Sequence, residues 1–265
     1  MKKLFSVLLV AAIVLSLCVV SISAENSSNP NLPTVEKSYS VKAGDIIQYT
    51  VYMNINSNNK VCSLDATTFY SDNLQFIPDL DKYGDNNLDK MFPILSIATV
   101  TNLNGVNGGI IYNYSSAQNG RRFNEDDCVL ATFTFLAKED GTATISTVMK
   151  CLAMMDSDSN MVVIVDQDLG LVKQNNFTTT NTIKKTGTAK MYGDVNGDGK
   201  ISLGGDAVYI QKHLAQQDLT NFDETVADVN GDGKITLGGD AVNIQKYLAQ
   251  QDLPDNIVVG EYIIP

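Results

Sequence analysis

The spacing of apolar positions divides the chain into a long β-patterned stretch and a short helical one. Ile46 to Met53, Thr67 to Ile77, Gly109 to Tyr114, Val129 to Ala137, Thr142 to Met149 and Met161 to Val165 are short runs of β-branched and aromatic residues bounded by Gly, Asn and Asp. Such runs predict an all-β sandwich or barrel. Further on the period changes. Ala207, Val208, Ile210 and Leu214, and again Ala241, Val242, Ile244 and Leu248, fall at helical spacing, so each set predicts one apolar helix face. Gln174 to Lys190 is rich in Asn and Thr and poor in apolar residues, the composition of a flexible linker. The expected organisation is a leader over 25–35, a β domain over 36–173, a linker over 174–190, a small α module over 191–258 and a tail over 259–265.

The helical pattern belongs to a repeat. Asp194 to Leu219 recurs 34 residues later as Asp228 to Leu253, with only Ser202/Thr236, Tyr209/Asn243 and His213/Tyr247 exchanged. Each copy opens with Asp, Asn and Asp at positions 1, 3 and 5 and Gly at 6, the oxygen-rich turn that wraps calcium, because Gly permits the sharp bend. Position 12, where an EF-hand places its bidentate carboxylate, is Gly205 or Gly239, and the acid follows one residue later. Asp206 and Asp240 are therefore the expected closing ligands. By analogy the other oxygens come from Asp194, Asn196, Asp198, the Lys200 carbonyl and Ser202, and from Asp228, Asn230, Asp232, the Lys234 carbonyl and Thr236. Two Ca2+ ions are thus expected. A module of about 65 residues has little core, so they are expected as folding cofactors. No general base stands beside them in sequence, and no catalytic role is implied.

Two such loop-helix units, without the entering helix of a full EF-hand, resemble a type I dockerin over roughly residues 190 to 258. The resemblance implies a module that plugs into a cohesin on a larger scaffold protein. It maps partner contacts onto Leu203, Gly204, Gln211, Lys212 and Gln216, with Leu237, Gly238, Gln245, Lys246 and Gln250 as their repeats. Because these match residue for residue, two docking orientations related by about a half turn are expected. Tyr209/Asn243 and His213/Tyr247 lie at i, i+4 and share one helix face, so they either bias the orientation or reflect drift. Tyr192 and Tyr262 to Pro265 flank the module, as a clasp or as a disordered tail.

Composition adds compartment and excludes some partners. Lys2 and Lys3 precede an apolar run from Leu4 to Val20 that ends in Ser21, Ser23 and Ala24, which predicts a signal peptide over 1–24 and a secreted, extracellular chain. Cys62, Cys128 and Cys151 follow it, an odd number, so at most one internal disulfide is possible and three thiols are the simpler expectation. The net charge of −11 opposes binding to nucleic acid or an anionic membrane.

The β domain has its own resemblance. Val41-Lys42-Ala43-Gly44-Asp45, Phe69-Tyr70-Ser71-Asp72-Asn73-Leu74, Gly109-Ile110-Ile111-Tyr112 and the run Val129 to Lys138 followed by Gly141-Thr142-Ala143-Thr144-Ile145 look like a cohesin, a jelly-roll sandwich of nine strands. The likeness spans about residues 36 to 173. It implies that one sheet face docks a dockerin-bearing protein and puts Leu64 and Ala66 near the contact positions. Leu64, Ala66, Thr68 and Tyr70 alternate with Asp65, Thr67, Phe69 and Ser71, and which set faces the core stays open. Together the two resemblances imply a non-catalytic adaptor scaffoldin of a cellulosome. A rival is a carbohydrate-binding module carried by the dockerin, disfavoured because the chain has no Trp. An enzyme is the weakest reading. Its candidate acids, Asp65, Asp79, Glu125, Asp126 and Asp127, look like loop residues, and the sole His213 leaves the β domain without a Ser/His/Asp set.

Overall fold

A computed structural model describes residues 32–55, 59–79, 87–93, 99–103, 109–115, 121–122, 128–173 and 177–263. The expected signal peptide, most of the leader, Glu125 to Asp127, Ile264 and Pro265 lie outside the described residues. The chain divides into two compact units. One holds 1–41, 47–135 and 141–185, and the other 42–46, 136–140 and 186–265. Among the described residues no helix is long and apolar enough to cross a membrane.

The first unit is a β-sandwich. Its larger sheet takes β3 (Lys60–Tyr70), β5 (Thr99–Leu103), β6 (Gly109–Ser115), β9 (Gly141–Met155), β10 (Met161–Asp166) and β11 (Leu171–Val172) in the order β11-β10-β9-β3-β6-β5. Two further strands join it, β1 (Thr34–Val41) on β9 and β7 (Arg121–Arg122) on β3. The smaller sheet has the order β12-β2-β8-β4, from β2 (Asp45–Ile55), β4 (Leu74–Ile77), β8 (Val129–Ala137) and β12 (Phe177–Thr188). One helical turn, α1 (Leu88–Met91), follows β4. Aromatic rings fill the interior: Phe133 meets Phe76, Phe92 and Tyr112 at centroid distances of 6.0, 5.7 and 5.5 Å.

β12 corrects the expected linker. Phe177, Thr179, Asn181 and Ile183 are buried or half-buried while Thr178, Thr180, Thr182 and Lys184 are exposed, the two-residue alternation of a strand with one covered face. Threonine supplies the β-branched shape a strand favours without looking apolar. Asn181 also donates through Nδ2 to the Tyr49 hydroxyl at 3.2 Å. The expected strand Thr67 to Ile77 is two strands, broken at Ser71 to Asn73, and β1 and β5 carry no run that the sequence pattern marks. Cys62, Cys128 and Cys151 form no disulfide.

The second unit folds around a duplicated core. Val195/Val229, Ala207/Ala241 and Ile210/Ile244 are repeat equivalents, and with Val226, Ala227 and Val259 they are all nearly inaccessible. Each repeat runs through a π-helical turn, Leu203–Ala207 or Leu237–Ala241, into an α-helix, α2 (Val208–Leu214) or α4 (Val242–Leu248). Each helix also packs against the other repeat's π turn. The second loop is preceded by a short helix, α3 (Glu224–Ala227), capped by the Asp223 carboxylate accepting from Thr225 N, so the expectation of no entering helix holds for the first repeat alone. β13 (Lys190–Met191) pairs antiparallel with β14 (Tyr262–Ile263), and Tyr192 N donates to Glu261 O at 2.9 Å. Of the two readings of the tail, residues 262 and 263 therefore take the clasp. Gly193 sits beside it at φ +93, and a Cβ there would stand 3.1 Å from Val259 Cγ1. Gly193→Ala is expected to cost about 1–3 kcal/mol of this unit's stability, read as a fall in the thermal midpoint in saturating calcium.

Candidate metal loops and docking faces

The two loops are built alike. Gly197 and Gly199 take φ +71 and +83, and Gly231 and Gly233 φ +68 and +80, a left-handed bend that other residues resist. It turns backbone N–H groups inward. Asp194 accepts from Asp198 N (3.1 Å) and Gly199 N (2.9 Å), and Asp228 from Asp232 N (3.2 Å) and Gly233 N (2.8 Å). Asn196 and Asn230 accept from the same Asp198 and Asp232 amides. Ser202 and Thr236 cap the π turns by accepting from Gly205 N and Gly239 N, both at 2.9 Å.

The π turn accommodates the extra loop residue. Val208 N donates to Leu203 O, five residues back, and widening the turn by one residue carries the late aspartate round to the loop. There Asp206 accepts from Val195 N (2.9 Å) and Ser202 N (2.7 Å), and Asp240 from Val229 N (3.0 Å) and Thr236 N (2.7 Å). Both aspartates are 0% exposed.

The electrostatics ask for a cation. Burial raises the pKa of Asp194, Asp206 and Asp240; Asp194 adds to the rise at Asp206, and Asp228 to that at Asp240. Among the described residues, no lysine or arginine pairs with Asp206 or Asp240 in an ion pair of 4 Å or less. Acids buried this way without a counter-charge are costly. Nor do three His, Cys, Asp or Glu side chains converge on one point among the described residues. A site here must draw on Asn, hydroxyl and carbonyl oxygens as well, the mixed oxygen set that suits calcium. The residues fit the ion.

The expected contact residues of this module are mostly accessible. Leu203 and Leu237 are 55% and 52% exposed. Gly204, Gly238, Gln211, Gln216 and Gln250 are exposed, and Lys212, Gln245 and Lys246 half-buried. The exchanged pairs are absorbed internally. His213 stacks on Phe222 at 4.1 Å and 7°, and Lys212 Nζ stands 5.5 Å from the Tyr209 ring. In the second repeat Asn243 is buried and donates to the Gly239 carbonyl, while the Tyr247 hydroxyl abuts Gly260. His213 and Tyr247 thus each fit a different neighbouring segment, Phe222 and Gly260, while Tyr209 and Asn243 make contacts within their own helical turns.

In the β unit Leu64 and Ala66 are 1% and 0% exposed, which corrects their expected place at a partner face. Their neighbour in the alternation, Thr68, lies 2.7 Å from Thr147 Oγ1, which lies 3.1 Å from the Tyr49 hydroxyl on the other sheet. This set points into the core. Asp65, Thr67 and Phe69 hold the opposite face, with Asp65 on a strand rather than in a loop. Asp65 stands in register with Asn113 on β6 and Cys151 on β9, and the register of β9 slips at Lys150 beside it. Asp65 Oδ1 and Thr67 Oγ1 are buried with no hydrogen-bond partner among the described residues. Burial pushes the Asp65 carboxyl up to about 6, eased by the charge of Lys150 and reinforced by that of Asp168.

Comparison with known proteins agrees with the C-terminal geometry. Residues 192–249 match the model of the dockerin type I domain. This segment is a dockerin, a calcium-binding, non-catalytic module whose partners are cohesins. A search of curated proteins found no match. The chain is similar to the seventh ScaB type I cohesin of Pseudobacteroides cellulosolvens, at TM-score 0.37 and 14% identity over 56% of this chain and 88% of that one. It is also similar to the sixth cohesin of scaffoldin B from Acetivibrio cellulolyticus, solved in complex with a Cel5 dockerin mutant, at TM-score 0.35 and 16% identity over 57% and 96%.

Proposed function

We propose that the chain is a secreted, non-catalytic adaptor: the β unit receives a dockerin-bearing protein while the dockerin docks into a cohesin of a larger scaffoldin. The observation that carries the reading is one chain joining a dockerin to a β-sandwich that keeps a half-buried acid, Asp65, at the middle of one sheet face. The receiving face is the outer side of β9-β3-β6-β5, with Asp65, Phe69, Asn113 and Lys150 in contact. Two Ca2+ ions are held by Asp194, Asn196, Asp198, the Lys200 carbonyl, Ser202 and Asp206, and by Asp228, Asn230, Asp232, the Lys234 carbonyl, Thr236 and Asp240. Two independent interfaces on one chain can be occupied at once, so the protein docked at one is tethered to the scaffold docked at the other. Calorimetric titration of the whole chain in calcium against a panel of dockerins tests the receiving face. Binding to none of a broad panel overturns it.

The duplicated helices support two docking orientations. Q211A/K212A in the first repeat, or Q245A/K246A in the second, removes one of two equal modes, and losing half the modes weakens binding only about twofold. The combined variant is expected to lose binding to the cohesin. If either repeat's variant alone abolishes it, a single orientation is in use.

A further inference from the structure

We propose that the outer face of the smaller sheet is a saccharide-binding groove, a site separate from both docking faces and independent of the adaptor reading. A groove of about 440 Å³ opens there, within the size range of small-ligand sites. Its floor is the outward set of two neighbouring strands, Gln48, Thr50 and Tyr52 from β2 and Thr132 and Thr134 from β8. An Asp79–Lys90 ion pair of 3.4 Å and Lys184 of β12 line it as well, and Ile77, Met91, Pro93 and Val129 add apolar wall on which the C–H face of a sugar ring can lie.

The lining selects the ligand class. Threonine and tyrosine hydroxyls each donate and accept, and the Gln48 amide does both through separate atoms, which matches sugar hydroxyls that do the same. Thr50 is 7% exposed, and its contact with Thr132 Oγ1 is long at 3.4 Å, leaving both hydroxyls capacity for a ligand. Tyr52, half-buried, is the one aromatic ring in the lining among the described residues; with no Trp in the chain to form a stacking platform, the hydroxyls and the Gln48 amide carry the recognition. Thr178, Thr180 and Thr182, exposed on the same side of β12 as Lys184, continue the hydroxyl-bearing surface along the strand. An apolar ligand would leave these polar groups unpaired. A peptide added as a strand needs an open sheet edge, whereas the floor here is made of side chains from paired strands. Nucleic acid is opposed by the chain's charge of −11.

The test is calorimetric titration of the whole chain, in calcium, with cellohexaose, xylohexaose and hexagalacturonate. Gln48→Ala and Lys184→Ala remove half-buried and exposed lining groups, and unchanged thermal midpoints show that the fold survives. Binding of at least one oligosaccharide is expected, about tenfold weaker in Q48A and lost in Q48A/K184A. Sensitivity of hexagalacturonate alone to K184A marks an acidic sugar as the ligand; a response to the two neutral oligosaccharides marks a neutral one. Silence with all three overturns the proposal, as does binding that persists undiminished in the double variant.

Discussion

Removing calcium is expected to unfold the C-terminal unit while the β-sandwich stays folded. The dockerin core is small: its members are Val, Ala and Ile residues contributed twice over, plus Val226, Ala227 and Val259. Against it stand loops that bury Asp206 and Asp240 completely, with Asp194 and Asp228 near enough to raise their pKa values. Without a cation these acids repel one another in a poorly solvated place. With calcium at about 1,000 times its dissociation constant, each site adds ~4 kcal/mol, so two sites rival the ~5–15 kcal/mol stability of an ordinary domain. Scanning calorimetry in calcium and then in EDTA should show one transition falling below room temperature or vanishing, and one that does not move. Asp206→Ala and Asp240→Ala should each reproduce part of the shift. An EDTA scan that superimposes on the calcium scan would remove calcium from the folding account.

Local chemistry was legible in the sequence, and long-range geometry was not. The loops could be read because their ligands, their glycines and the apolar helix face all lie within one short repeat, and the late acid at Asp206 already marked an inserted residue. The π turn that accommodates it is a backbone solution which no residue type announces. β8 could be read at both ends, since Val129 to Ala137 is an apolar run with a Thr132-Phe133-Thr134-Phe135 alternation at its centre and polar residues on either side. β12 does not show in the sequence because its partners are distant: a Thr- and Asn-rich run becomes a strand only when β2 lies beside it. The facing of β3 was illegible for a sharper reason. Both of its sets contain buried residues, Leu64, Ala66 and Thr68 on one side and Ser63 and Thr67 on the other. What decides between them is the Thr68, Thr147 and Tyr49 contacts, joining residues 79 and 98 positions apart.

That facing leads to the second large effect: Asp65→Asn is expected to stabilise the β-sandwich and weaken dockerin binding at once. In the free protein the Asp65 carboxylate sits half-buried with Oδ1 unpartnered, and its pKa is pushed up from 3.8 to about 6. Between pH 3.8 and about 6 the folded state therefore holds a proton that the unfolded chain has released, and above that range it bears a poorly solvated charge. The stability this group contributes is fully present below pH 3.8 and is lost as pH rises through about 6. An asparagine has no charge to lose, so the variant should show a higher thermal midpoint than the parent at pH 7.5, with the difference closing near pH 4. Docking runs the other way. A donor brought by the dockerin would meet a carboxylate in the parent and a neutral amide oxygen in the variant; a hydrogen bond to a charged group contributes ~1.5–3 kcal/mol against ~0.5–1.5 for a neutral one, a difference of ~1–1.5 kcal/mol or about 5- to 10-fold in affinity. A residue serving only the fold would not show opposite signs in the two measurements. If Asp65→Asn binds dockerin as the parent does, the acid lies outside the interface and the receiving face must be sought elsewhere on the sandwich.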